Sequence, residues 1–242
     1  MSNINSQAGT PIDGAVALVT GGNRGFGRAM VEKLIERGAS KVYATSRSPH
    51  AQHDPRVIPL VLDVADDRSV SAAAKAAPDV SIVVNNAGVS LNTPLLEAPL
   101  EDIGAELETN LFGIIRMTRA FAPALARHQR SAIVNVLSVR SWVAFGHGYE
   151  VSKAAAWSAT NSLRLRLREQ GTIVTALHVA YMDTDMTSHV TAPKSDPSDI
   201  AAQAADAIVA GQFEILADDR TRAVKSQLSN DVTALYAELA AA

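Results

Sequence analysis

The segment Gly148-Tyr-Glu-Val-Ser-Lys153 sets a phenol and an ammonium four residues apart, at Tyr149 and Lys153. On a helix, positions i and i+4 share a face. The two are then either a surface pair without consequence or a general acid and its electrostatic partner. Free tyrosine titrates near ~10. A neighbouring cation favours the phenolate, so the second reading expects Lys153 to help lower the Tyr149 pKa toward working pH. Spacing alone leaves both readings open.

A second chemical signal follows the apolar run 15–20. Thr20, Gly21, Gly25 and Gly27 form a T-G-x(3)-G-x-G pattern between a strand-like and a helix-like segment. There the chain must turn sharply, let its backbone approach a pyrophosphate and aim a helix N-terminus at the negative charge. Gly21, Asn23, Arg24, Gly25, Phe26 and Gly27 are the candidate cradle. The next strand-like run ends in Ser46 and Arg47, with no acid in Tyr-Ala-Thr-Ser-Arg-Ser. An acid there would suit the ribose hydroxyls of NAD, whereas a guanidinium pairs with a 2′-phosphate. NADP(H) is the expected cofactor, with Arg24 as a second cation. The histidines show no metal-ligand spacing, and no metal is expected.

These groups need elements to position them. Short apolar runs at 15–20, 41–46, 57–62, 80–85, 132–137, 172–179 and 214–217 read as strands. Helical patterns lie near 67–76, 100–128, 149–170 and 198–210, with another behind the glycine turn and a polar one near 219–240. Continuous apolar strands alternating with helices predict a parallel sheet covered on both faces. The expected fold class is α/β: one doubly wound, Rossmann-like domain of about seven strands. It spans 13–242, after a flexible tail over 1–12, with a C-terminal helical segment at 218–242. Pro59 sits awkwardly inside its strand.

With 242 residues, 47% of them hydrophobic and 19% charged, the chain can bury a full core. The net charge of −3 is scattered, without a basic block, so nucleic acid is not an expected partner. There are no cysteines, which excludes disulfides and thiolate chemistry. The first residues lack the pattern of a signal peptide, and no apolar run would span a bilayer. A cytoplasmic protein without membrane contact is expected.

Five motifs then fall in a telling order: the glycine turn, Asp63-Val64, Asn85-Asn-Ala-Gly88, a strand ending in Ser138, and Tyr149-Glu-Val-Ser-Lys153. In this set, over about 14–217, the chain resembles a short-chain dehydrogenase/reductase. The resemblance implies a catalytic tetrad of Asn110, Ser138, Tyr149 and Lys153, with Asn110 holding a water that returns protons through Lys153. It implies that Asp63 and Val64 lie against the adenine, and that Asn86, Ala87 and Gly88 line the cofactor channel. Tyr149 and Lys153 also meet the cofactor, as do Met182 and Thr184. It further implies a homodimer or homotetramer that reduces a ketone or aldehyde to an alcohol, reversibly. The competing readings are a non-catalytic dinucleotide sensor or scaffold and a nucleotide-sugar epimerase or dehydratase.

Val89, Ser90, Trp142, Phe145 and Tyr181 lie in loops after the strands and are the candidate substrate pocket. Trp142 and Phe145 suggest a hydrophobic or aromatic carbonyl, and subunit or core packing is the alternative for both. One departure stands out: Val179-Ala180 replaces the family's usual Pro-Gly. A methyl at Ala180 would be strained if the backbone there required positive φ.

Overall fold

The computed structural model describes residues 8–51 and 53–236. Seven parallel strands form one sheet in the order β3-β2-β1-β4-β5-β6-β7. They are β1 Val16–Thr20, β2 Lys41–Ser46, β3 Val57–Val61, β4 Ile82–Asn85, β5 Ser131–Val136, β6 Thr172–His178 and β7 Glu214–Leu216. Strands β4, β5 and β6 are buried along their whole length, which is why each reads as a mainly apolar run rather than an alternation.

Helices cover both faces. On one, α1 (Gly25–Glu36) and α6 (Pro197–Ala210) bury Met30, Leu34, Ile200, Ala204 and Ile208 against the sheet. On the other, α2 (Asp67–Ala76), α4 (Gly113–Leu125) and α5 (Gly148–Leu167) bury Val70, Met117, Phe121, Leu125 and Leu167. The strand order reverses at β1 and β4, and a cleft opens at their carboxyl ends, as the topology requires. No helix among the described residues is long and apolar enough to cross a membrane. Nor do they contain a cluster of groups that could hold a metal.

Several expectations need correction. The helix over 100–128 is α3 (Leu100–Leu107), a π-helical turn (Glu108–Phe112) and α4, which ends at Leu125. The C-terminal helix is short: α7 covers Asp219–Ser226, followed by turns and a 3₁₀ turn at Val232–Ala234, and residues 237–240 lie outside the described part. The last residues of the expected 1–12 tail are fixed, because Thr10 N–H donates to Ile208 O (2.9 Å) and Ile12 is buried. Residues 1–7 lie outside the described part. Pro59 is accommodated because β3 is the sheet's edge strand.

Candidate active site

The end of β1 is sewn to the end of β4. Asn86 and Ala87 N–H both donate to Thr20 Oγ1 (2.9 Å each), and Asn86 Nδ2 donates to Thr20 O (2.8 Å). Asn86 therefore braces the glycine turn as well as facing the cleft. Gly21 and Gly25 take positive φ (+67° and +52°), a conformation that favours glycine. Aspartates cap α2, α6 and α7 through Asp66, Asp196 and Asp218. By contrast, α1 has no side-chain cap and no acid in its first turn. Its first N–H groups are left for an anion, and the residues present fit a dinucleotide pyrophosphate.

At the far end of the cleft, Asn23 Nδ2 donates to Ser46 Oγ (2.7 Å) and Ser48 O (3.0 Å), fixing the loop after β2. Arg47 is exposed there and makes no hydrogen bond or ion pair with another described residue. Arg24 differs: its guanidinium is paired with Asp185 (3.1 Å) across the cleft mouth, which offsets its charge. Asp63 accepts from Ala65 N–H (2.9 Å), and Val64 packs so closely on Gly113 that a Cβ there would lie 2.9 Å from Val64 Cγ2. Asn85 faces away from the cleft, donating to Asn135 Oδ1 (2.8 Å) inside the sheet.

Ser138 ends the β5 segment, and its Oγ accepts from Arg140 N–H (3.1 Å). Arg140 pairs in turn with the buried carboxylate of Glu150, which also accepts from His147 N–H (3.0 Å) at the start of α5. This bridge locks the serine's turn to the helix carrying Tyr149 and Lys153. Lys153 Nζ donates to Val136 O (3.0 Å) and lies 5.6 Å from the centre of the Tyr149 ring. Asn110 lies in the π-helical turn, where the widened spacing is a frequent mark of functional sites. Its amide grips Val89 through both N–H and C=O (2.9 Å each) and donates to Ser152 Oγ (2.9 Å). The side chain is thus occupied in holding the loop after β4, and Asn110 does not line the cleft.

Ser138, Tyr149 and Lys153 line one continuous cleft of about 730 Å³ together with every cofactor candidate, from Gly21 through Arg47 to Thr184. The model of the short chain dehydrogenase family matches residues 15–195. The chain belongs to the short-chain dehydrogenase family.

Among relatives of this short-chain dehydrogenase is the 3-oxoacyl-(acyl-carrier-protein) reductase FabG of Vibrio cholerae, 32% identical over 73% of this chain and 77% of the relative. The NADPH-dependent 1-acyldihydroxyacetone phosphate reductase of Schizosaccharomyces pombe is 32% identical over 71% of this chain and 61% of the relative. A Burkholderia cenocepacia short chain dehydrogenase solved in complex with NADP superposes with a TM-score of 0.90 at 36% identity, over 95% of this chain and 99% of that one. The chain is accordingly an oxidoreductase of this family.

In this dehydrogenase the protein's own groups act on Tyr149 chiefly through burial. Burial pushes the Tyr149 phenol up to about 12; a hydrogen bond with Ser138 and the charge of Arg140 pull it back, while Glu106 and Glu150 add to the rise. Lys153 is not among the groups that lower it, because the same burial draws the ammonium itself down to about 8. Protein groups alone therefore keep Tyr149 protonated at neutral pH, as suits a proton donor. The Lys153 shift sets a stability window. Between about 8 and its ordinary 10.5 the unfolded chain holds a proton that the folded chain has released, so stability rises with pH there. Lys153→Met is expected to abolish that rise, worth about 2 kcal/mol between pH 7.5 and 9.5 at ~1.4 kcal/mol per pH unit. Urea unfolding of both proteins at pH 7.5 and 9.5 checks this, and parallel pH dependences would refute it.

On the substrate side, Val89 and Ser90 line the cleft as expected. Trp142, Phe145 and Tyr181 do not line it. The Trp142 ring stacks on buried His178 (centroids 3.9 Å apart), Arg140 covers the exposed Phe145 ring at 4.6 Å, and Arg220 sits over Tyr181 at 5.8 Å. The packing alternative therefore holds for Trp142. Leu91, Met186 and Thr187 take their place in the lining. Glu106 was also missed: fully buried, it accepts from Leu91 N–H (2.7 Å) and Thr93 Oγ1 (2.5 Å), clamping the substrate-side loop. No motif marked it; it reads as one more helical acid. Ala180 is not strained, since Asn92 is the only non-glycine with positive φ among the described residues. Its N–H donates to Asp218 Oδ2 (2.7 Å), which supports the chain where Pro-Gly would stand.

Proposed function

We propose that the chain is an NADPH-dependent reductase of neutral carbonyl compounds. One observation carries the reading: Ser138, Tyr149 and Lys153 face the same cleft as an uncapped glycine turn and an Arg47 that no other described residue pairs with. When bound, NADPH supplies hydride to the carbonyl carbon. Tyr149 gives the proton to the oxygen, and Ser138 Oγ–H donates to that oxygen as charge develops on it. Lys153 offers N–H donors to ribose hydroxyls, and Asn110 sets the Val89 loop. Arg47 would hold the 2′-phosphate.

The substrate half of the cleft supports an apolar compound. Val89, Leu91, Ala180, Met182 and Met186 line it, and its charged groups, Lys153 and Asp185, are already engaged by Val136 O and Arg24. Met side chains adapt to varied apolar shapes. Phe112 and Leu165 expose large apolar side chains on the α4–α5 side, which supports a homo-oligomer.

The test is a panel of ethyl acetoacetate, acetophenone, 2,3-butanedione, pyruvate and oxaloacetate, read by absorbance with NADPH and with NADH. Turnover of the first three with NADPH is expected. Arg47→Asp should lower the NADPH/NADH ratio of kcat/KM by roughly 100-fold, about 3 kcal/mol at 1.4 kcal/mol per decade. Turnover confined to the keto acids would overturn the substrate reading, and an unmoved ratio would overturn the cofactor assignment.

A further inference from the structure

His178 closes β6 and is completely buried directly behind Ser138. Its Nδ1 lies 3.1 Å from Ser138 O. A carbonyl only accepts, so Nδ1 carries the proton. Burial keeps the ring neutral, pushing it down to about 4; Lys225 and Lys153 act in the same direction, while the Ser138 bond and Glu214 oppose them. The opposite nitrogen, Nε2, then holds only a lone pair. It has no hydrogen-bond partner among the described residues, and the carboxylate of Glu214 faces it at 3.6 Å. With a neutral ring this contact is not an ion pair. Glu214 is held instead by Lys225 (2.9 Å), whose ammonium lies over Trp142 (4.6 Å) and Trp157 (5.5 Å). Trp142 stacks on the imidazole at an interplanar angle of 23°.

A phenyl ring would fill the same stack without stranding a buried acceptor, which is destabilising. What imidazole adds is one N–H, and it is spent on the Ser138 carbonyl. That peptide needs a restraint, because regular β5 has ended at Val136. The last rungs to β6 flank Ser138, from Leu137 N–H to Leu177 O (2.7 Å) and from Val139 N–H to Val179 O (2.9 Å). The Ser138 carbonyl itself turns to meet Ser141 N–H (3.0 Å) and His178.

We propose that His178 is a positioning residue for the reaction: its Nδ1–H, wedged between Trp142 and the Glu214–Lys225 pair, fixes the Ser138 peptide and so the direction in which Ser138 Oγ–H meets the substrate carbonyl. The role rests on the reductase reading above. Two substitutions separate it from plain packing. His178→Phe keeps the stack and loses the donor; His178→Asn keeps a donor at the Nδ1 position and loses the stack.

With the neutral panel compound that the wild type reduces fastest, His178→Phe should lower kcat at least about tenfold, within the ~10²-fold that a 1 Å misplacement costs. KM and the NADPH Kd from fluorescence quenching should stay unmoved. His178→Asn should keep kcat within about threefold while its Tm falls. The reverse order, with Phe active and Asn impaired, would overturn the role, as would equal kcat in all three proteins. Should the Phe variant not fold, the Asn variant decides: retained kcat with a lowered Tm supports the role, and kcat lost together with Tm overturns it. A wild type that reduces no panel compound removes the reductase reading and this role together; an active wild type matched by His178→Phe removes this role alone.

Discussion

Tyr149→Phe should lower kcat by about 10²–10⁴-fold, the span a positioned general acid contributes, and leave the NADPH Kd within experimental scatter. The change removes one hydroxyl and keeps the ring beside Lys153 Nζ, 5.6 Å from its centre. Lys153 retains its bond to Val136 O. Because burial holds the phenol near 12, the wild-type proton is present throughout neutral and mildly alkaline solution. The loss in the variant should therefore be the same at pH 6 and pH 8. Stability should fall by about 1 kcal/mol, the usual net worth of the lost hydrogen bond with Ser138. Steady-state kinetics and fluorescence titration together are the measurement. Turnover within tenfold of wild type would show that the proton comes from another group, and a weakened Kd would show that Tyr149 binds rather than reacts.

Gly27→Ala is the second large effect, and here two contributions compete. Alanine is about 1 kcal/mol better than glycine inside a helix, so at an open site the change would stabilise α1. At Gly27 the added Cβ would lie 2.1 Å from Gly21 O and 2.6 Å from Asn86 Nδ2. The first of these is backbone and cannot swing aside. Overpacking of this kind costs about 1–3 kcal/mol, and relieving it moves the helix N-terminus off the turn that it must share with a pyrophosphate. The net loss is at most about 2 kcal/mol, so the expected result is a Tm lowered by up to roughly 8 °C, at about 2–4 °C per kcal/mol for a chain of this size, and a weaker dinucleotide Kd. A higher Tm with unchanged Kd would show that the contact is slack.

Much of this was legible in the residues themselves. The strands could be read because a sheet covered on both faces leaves no polar alternation. The glycine turn, Ser138, Tyr149 and Lys153 could be read because each needs a particular atom at a particular register. Directions were harder. Trp142 and Phe145 are near Ser138 in sequence, yet stacking on His178 and Arg140 turns their rings out of the cleft. The π-helical turn adds no residue type that a periodic pattern would flag. The roles of Glu106 and His178 depend on partners from distant segments, Leu91 and Thr93 for the first and Ser138 and Glu214 for the second. The balance at Tyr149 was hard to read for a related reason: spacing reports which charges are near, whereas among the protein's own groups burial outweighs them.

Pro59 has a further meaning at the margin of the sheet. Val42 N–H donates to Arg56 O and Leu62 N–H to Ser46 O, so even-numbered positions of this segment face β2 and odd-numbered ones face outward. The imide nitrogen of Pro59 therefore stands in the middle of the free edge, where an incoming strand from another molecule would seek a donor and find none. Sheet-to-sheet growth is disfavoured on this flank, which leaves β7 as the sheet's other open edge.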